Sequence, residues 1–117
     1  MRPHNVEHKT LSDTHAELVM YLDPTLFWFR GHFPIYPILP GVAQLDWVMH
    51  YAGSLLVPGK RFHSISVVKF QAPLLPGQTV RLMLEWMESR QVLSFTYQFD
   101  THGEWQTASN GKIRLCQ

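Results

Sequence analysis

The sequence predicts an α+β domain in which an antiparallel sheet curls around one long helix. A proline-free, mostly apolar stretch, Gly41–Leu56, is long enough for a buried helix, and Val57-Pro58-Gly59 ends it. Four segments with alternating apolar and polar residues follow, joined by turns typical of antiparallel hairpins. A helix followed by a run of strands favours the α+β class.

The chain before the helix contains one clear strand and then a rigid loop. Residues 1–10 are polar without a pattern, which predicts a loose arm or a short edge strand, whereas His15–Leu22 alternates like a strand. Asp23-Pro24 marks a turn, and the aromatic run Leu26–Arg30 predicts a short buried strand or wall. Three prolines within Gly31–Pro40 exclude a helix there, so we expect a stiff loop that can fix a side chain.

The strands after the helix are predicted from their period of two. In one of them Val80, Leu82, Leu84 and Trp86 share a face, and the next strand repeats this pattern. Turns at Ser89-Arg90 and His102-Gly103 separate neighbouring strands. The predicted strands are Phe62–Phe70, Thr79–Glu88, Val92–Asp100 and Glu104–Leu115.

Length and composition limit the possible functions. The 117 residues, 45% hydrophobic and 16% charged, predict a single domain over residues 1–117. Because so small a domain has a limited core, a long apolar tunnel is most easily built between subunits, and we expect an oligomer. The formal charge is only +1 and the charges are scattered, which disfavours nucleic-acid binding.

No signal peptide, membrane span, disulfide or metal site is expected. MRPHNVEHKT at the start lacks an apolar core, and polar residues interrupt the longest apolar stretch, so we expect a cytoplasmic protein. Cys116 has no partner for an intrachain disulfide. His4 and His8 have helical spacing, but no third ligand is near them in the sequence.

Two polar residues are candidates for proton transfer. His32 lies in the proline-stiffened loop, where packing can fix its ring as a general base requires. Asp46 lies among apolar helix residues, where burial disfavours the charged form, so we expect a carboxyl that donates a proton or holds a water. The alternatives are a loop histidine bonded to backbone carbonyls, and a helix carboxylate paired with an arginine or with His50.

Gly41 supplies a third element of chemistry. Pro40-Gly41 opens the helix, whose first N–H groups have no intrahelical acceptor and can polarise a thioester carbonyl. A base, an acid and these donors together describe β-elimination of a 3-hydroxyacyl thioester. His32 and Asp46 are fourteen residues apart with the helix start between them, so a two-fold dimer could bring each histidine to the other subunit's aspartate.

The residues 29–50, FRGHFPIYPILPGVAQLDWVMH, resemble the signature of the β-hydroxyacyl-acyl-carrier-protein dehydratases, in which a GHFP loop leads to PGV. The family's catalytic histidine matches His32, its helix carboxylate falls at Asp46 and its helix-opening glycine at Gly41. A second stretch, VKFQAPLLPG at 68–77, resembles the family's KFxxPxxPG segment. The variant PILPGVAQLDW is similar to the short thioester dehydratases of aryl polyene biosynthesis.

The resemblance implies a hot-dog fold and dehydration of a 3-hydroxyacyl thioester to the trans-2-enoyl thioester, in fatty-acid-like or aryl polyene biosynthesis. It implies a homodimer with composite active sites, open to further or mixed assembly, and a substrate carried on the phosphopantetheine of an acyl carrier protein. No metal or redox cofactor is implied. The sequence departs from many members in having Asp46 for glutamate and His50 for glutamine, and the second change could alter hydrogen bonding around Asp46.

Other assignments remain open at this point. Phe33 and Tyr36, beside His32, are candidates for the wall of the substrate tunnel, with simple loop packing as the alternative. Scattered basic residues could meet an acidic carrier protein, although such charges are usually just solvated; they are Arg30, Lys60, Arg61 and Lys69. The alternative functions are an acyl thioesterase on the same fold and a non-catalytic acyl-binding module.

Overall fold

Six antiparallel strands and one α-helix make up the fold in the computed structural model, which describes residues 2–3, 6–26, 29 and 38–117. The strands form one sheet in the order β1-β2-β4-β5-β6-β3. This confirms the predicted α+β class. The elements are β1 (Val6–Thr10), β2 (His15–Tyr21), α1 (Gly41–Leu55), β3 (Arg61–Phe70), β4 (Thr79–Met87), β5 (Val92–Thr101) and β6 (Glu104–Cys116), with a 3₁₀ turn at Glu88–Arg90 between β4 and β5.

The observed element ends lie within one residue of the predicted ones, and residues 6–10 form the edge strand that was one of two options. Of the two options for Leu26–Arg30, a short buried strand or a wall, the strand is wrong at the described positions. The N–H of Phe29 donates to the carbonyl oxygen of Leu26 at 3.0 Å, which closes a tight turn. Leu26 is nonetheless buried, so its apolar character reports packing against the core rather than strand geometry.

The core lies between one face of the sheet and one side of α1. Trp47 and Val48 of the helix are fully buried, and the alternation predicted for β4 and β5 places their apolar residues on the same inner face. Burial of this apolar area is the main force that holds the helix on the sheet. The largest fully buried sheet residues are Leu18, Met20, Leu82, Leu84, Leu93, Phe95, Tyr97 and Ile113.

β3 forms one edge of the sheet, and among the described strands it pairs only with β6. Its ten residues include four large hydrophobic side chains that are exposed: Phe62, Ile65, Val67 and Phe70. Two irregularities in its register with β6 occur between Phe62 and Ser64 and between Ile65 and Val67. A long apolar edge strand is a surface on which another chain can pair.

Candidate active site

The start of α1 presents backbone donors, as predicted for a helix that opens at Gly41. Pro40 precedes the helix and has no N–H, and its carbonyl oxygen accepts the N–H groups of Ala43 at 3.0 Å and Gln44 at 3.1 Å. Among the residues that the structure describes, the N–H groups of Gly41 and Val42 have no acceptor. Two donors and the positive end of the helix dipole are therefore available to a ligand oxygen.

A cavity of about 300 Å³ lies at this helix start, between α1 and the chain that follows β3. Gly41, Phe70 and Pro73 contribute to its lining. The Phe70 ring packs directly on Gly41, since a Cβ at position 41 would lie 2.7 Å from Phe70 Cζ. Glycine is the residue that leaves room for both the ring and a ligand at the free N–H groups.

Gln44 ties the helix start to the sheet through a buried hydrogen-bond network. Its side chain is 3% exposed. Its Nε2 donates to the Leu39 carbonyl oxygen at 3.1 Å, and its Oε1 accepts from Ser109 Oγ at 2.7 Å. The Tyr97 hydroxyl donates to the Gln44 carbonyl oxygen at 2.6 Å, and burial raises the pKa of Tyr97 well above its usual range, so it remains a neutral donor. These bonds fix the position of the free N–H groups.

Gln44 was not among the residues predicted for the site. The signal that singled out Asp46, a polar residue in an apolar helix, applies equally to Gln44. That signal cannot separate a structural anchor from a reactive group, because both are polar residues among apolar ones. The hydrogen bonds of the Gln44 side chain to Leu39 and Ser109 identify it as a structural anchor.

Asp46 is exposed in this chain, and the expectation that it is buried is wrong. Its side chain is 58% exposed, between Val42, which is 67% exposed, and His50 on the same helix face. The sheet covers only one side of α1, and over the described ranges nothing comparable covers the face around Asp46. Asp46 also lies about 140° around the axis of α1 from Gly41, because its position is five residues further along the helix.

The Asp46 carboxylate faces a cation from the N-terminal arm. Arg2 Nη1 lies 4.0 Å from Asp46 Oδ2, with the arginine side chain also half-exposed. Pairing with an arginine was the alternative expected for Asp46. His50 follows one turn later, where slight burial and then the charge of Arg2 lower its pKa, while Asp46 acts in the opposite direction. An exposed pair of this kind adds little to stability.

His32, Phe33 and Tyr36 lie outside the described residues, so the predicted meeting of base, acid and helix start stays a prediction. Over the described ranges, no group of three histidine, cysteine, aspartate or glutamate residues comes together as a metal site. In those same ranges, no helix has the length and hydropathy needed to cross a membrane.

The sequence was compared with known families and proteins. The profile of the ApeI-like family, described as ApeI dehydratase, matches residues 7–112. The chain is 33% identical over 92 residues to the 3-hydroxyacyl-[acyl-carrier-protein] dehydratase FabZ of Clostridium perfringens. That alignment covers 70% of this chain and 66% of the FabZ protein, so the chain spans slightly less than two thirds of this relative's length.

Solved structures share the fold of this chain. It is similar to the dehydratase heterocomplex ApeI:P of Xenorhabdus doucetiae, with a TM-score of 0.92, 53% identity and full coverage of both chains. It also resembles a dehydratase domain of the curacin polyketide synthase, with a TM-score of 0.71 at 19% identity, covering 95% of this chain and 42% of that one. The second likeness concerns the fold alone, and together the two confirm the hot-dog fold. The family match over residues 7–112 shows that the chain belongs to the ApeI-like dehydratase family.

Proposed function

We propose that this chain dehydrates 3-hydroxyacyl thioesters bound to an acyl carrier protein, giving the trans-2-enoyl thioester and water, in fatty-acid-like or aryl polyene biosynthesis. The observation that carries the proposal is the family match, whose range contains His32, Gly41 and Asp46. The free N–H groups and the cavity at the helix start support it, since they suit a polarised thioester carbonyl.

The proposed reaction begins with the thioester carbonyl oxygen in the cavity at the start of α1. There it accepts hydrogen bonds from the N–H groups of Gly41 and Val42. These bonds and the helix dipole stabilise the negative charge that develops on the oxygen as the α-proton leaves. The α-carbon becomes acidic enough for a histidine to act as the base.

His32 takes the α-proton in this proposal, and the electron pair of the broken C–H bond forms the double bond. In the proposed composite site a partner subunit covers the exposed face of Asp46, and this burial favours its carboxylic acid form. The bond between the β-carbon and the hydroxyl oxygen breaks as Asp46 gives its proton to the departing hydroxyl. Water leaves, His32 holds one extra proton and Asp46 is a carboxylate. Transfer of that proton from His32 to Asp46 restores both groups, so the balance needs no metal or redox cofactor.

The site is proposed to be composite, formed by two copies of this chain. Asp46 and Gly41 face different sides of the helix, and the face around Asp46 is exposed, which suits a partner's contribution. The apolar edge of β3 suits pairing with the β3 of a second copy. The relative from Xenorhabdus doucetiae is a heterocomplex, so a different partner subunit is the alternative. The molar mass of the purified chain in solution distinguishes a homodimer from a subunit that needs a different partner.

In the first experiment the purified chain is incubated with a 3-hydroxyacyl thioester. The substrate is supplied both as the N-acetylcysteamine thioester and bound to a carrier protein. We expect ultraviolet absorbance of the enoyl thioester to rise without release of thiol. Release of free thiol would instead show a thioesterase. Binding of the ester with neither signal would show a non-catalytic acyl-binding module, and either result contradicts the proposal.

Replacing Gly41 by alanine is expected to lower kcat/KM for this reaction by about tenfold or more, because a Cβ occupies the space beside the free N–H groups. The clash is with the far end of the Phe70 ring, which can turn away, so the melting temperature should change little. Gly53→Ala is the matched control for the rate, since it adds the same methyl group to α1 with no atom within 4 Å of it. A Gly41→Ala variant with the wild-type rate would remove the helix start from the mechanism.

A further inference from the structure

The N-terminal arm lies over the second half of α1. Pro3 is buried, and Val6 packs against the core from β1, where it pairs with Met20 of β2. Arg2, next to Pro3, lines a cavity of about 360 Å³ whose other walls include His50 and Tyr51 of the helix. The fold therefore sets the position of Arg2, although its side chain is half-exposed.

Arg2 acts on three polar groups of α1. Its guanidinium is 4.0 Å from the Asp46 carboxylate, and its charge contributes to lowering the pKa of His50. Burial raises the pKa of Tyr51, and Arg2 opposes that effect. Among the described residues, Arg2 is the one cation within ion-pair distance of Asp46.

Two other elements bring titratable groups near Arg2 or Asp46. His8 of β1 lines the cavity beside Arg2. Tyr97 of β5 lies close enough for Asp46 to contribute to its raised pKa. Neither carries a permanent positive charge, so in the part of the chain that the structure describes the lasting positive charge at Asp46 comes from Arg2.

We propose that Arg2 is a positioning residue for the dehydration, an inference that rests on the proposed function. Its guanidinium lies 4.0 Å from Oδ2 of Asp46 and leaves the other oxygen for the substrate hydroxyl. It also stabilises the carboxylate that Asp46 becomes once its proton has gone to the departing hydroxyl. Arginine stays protonated and cannot supply that proton itself, so it acts only through Asp46.

The half-exposed pair adds little to stability, so loss of Arg2 should appear in the rate rather than in folding. Arg2→Gln is expected to lower kcat about tenfold, with KM within about twofold of wild type and the same melting temperature. Arg2→Lys keeps the charge and should recover most of the rate. Arg90→Gln, which removes an exposed arginine from the turn between β4 and β5, is the matched control.

NMR titration of His50 is a second measurement, which does not depend on turnover. Because the charge of Arg2 lowers the pKa of His50, Arg2→Gln should raise that pKa, and Arg90→Gln should leave it unchanged. Wild-type kcat in Arg2→Gln overturns the proposal. A loss of rate that lysine does not recover, or that comes with a lower melting temperature, also overturns it, since it shows a structural role for the arm. Failure of the proposed function is distinct, because the wild-type chain itself then forms no enoyl thioester.

Discussion

Replacing Asp46 by asparagine is expected to lower the dehydration rate by about 10²- to 10⁴-fold, the range in which a general acid contributes. Asparagine has nearly the same shape but cannot deliver a proton to the departing hydroxyl. The Asp46 side chain is 58% exposed and its ion pair is weak, so the melting temperature should stay close to that of wild type. Steady-state rates of enoyl formation and thermal unfolding measure the two effects.

Asp13→Asn is the matched control, because Asp13 is an exposed carboxylate in the turn between β1 and β2. It should leave the rate unchanged. If Asp46→Asn retains the wild-type rate, Asp46 is not the acid. A slow variant that also unfolds at a much lower temperature would point to a structural role.

Mixing Asp46→Asn with His32→Ala tests whether the site is composite. Each variant alone should be nearly inactive. After the subunits exchange to equilibrium, half of the dimers are mixed and each mixed dimer has one intact site of two, so about one quarter of the wild-type rate should return. No recovery, once exchange has been verified by mass spectrometry of tagged subunits, would place both residues in one chain's site.

Gly111→Ala is expected to destabilise the protein by about 1–3 kcal/mol through overpacking. Gly111 lies on β6 between β3 and β5, and a Cβ there would be 2.5 Å from the Val67 carbonyl oxygen and 2.8 Å from Phe95 Cε2. The carbonyl belongs to the backbone of β3, so relief requires the edge strand to move. We therefore expect both a lower midpoint in urea unfolding and a melting temperature several degrees lower.

Gly53→Ala makes the same chemical change as Gly111→Ala but is expected to stabilise the protein. Position 53 lies in α1 with no atom within 4 Å of the added methyl, and alanine favours the helix by about 1 kcal/mol over glycine. Both variants should be unfolded at one protein concentration, because the stability of an oligomer depends on it. Equal stability of Gly111→Ala and wild type would contradict the close packing of β3 on β6.

The sequence by itself determined the elements and the family. The period of two in β4 and β5 marks which residues face the core, and Pro40-Gly41 and Pro58-Gly59 bracket α1, because strand alternation and helix ends depend on residues near in the chain. The candidate site was predicted as a set for the same reason, since His32, Gly41 and Asp46 fall within one continuous motif. The strand option for Leu26–Arg30 is wrong because apolar character alone does not distinguish a buried strand from a buried turn.

Only the tertiary structure decided how these residues are surrounded. The exposure of Asp46 depends on how much of α1 one sheet can cover, and the contact of Arg2 with Asp46 depends on where the N-terminal arm lies. The bond from Ser109 to Gln44 joins residues 65 apart in the chain. Local sequence patterns record the average burial of a residue but not which distant element covers it, because that is set by packing between elements far apart in the sequence.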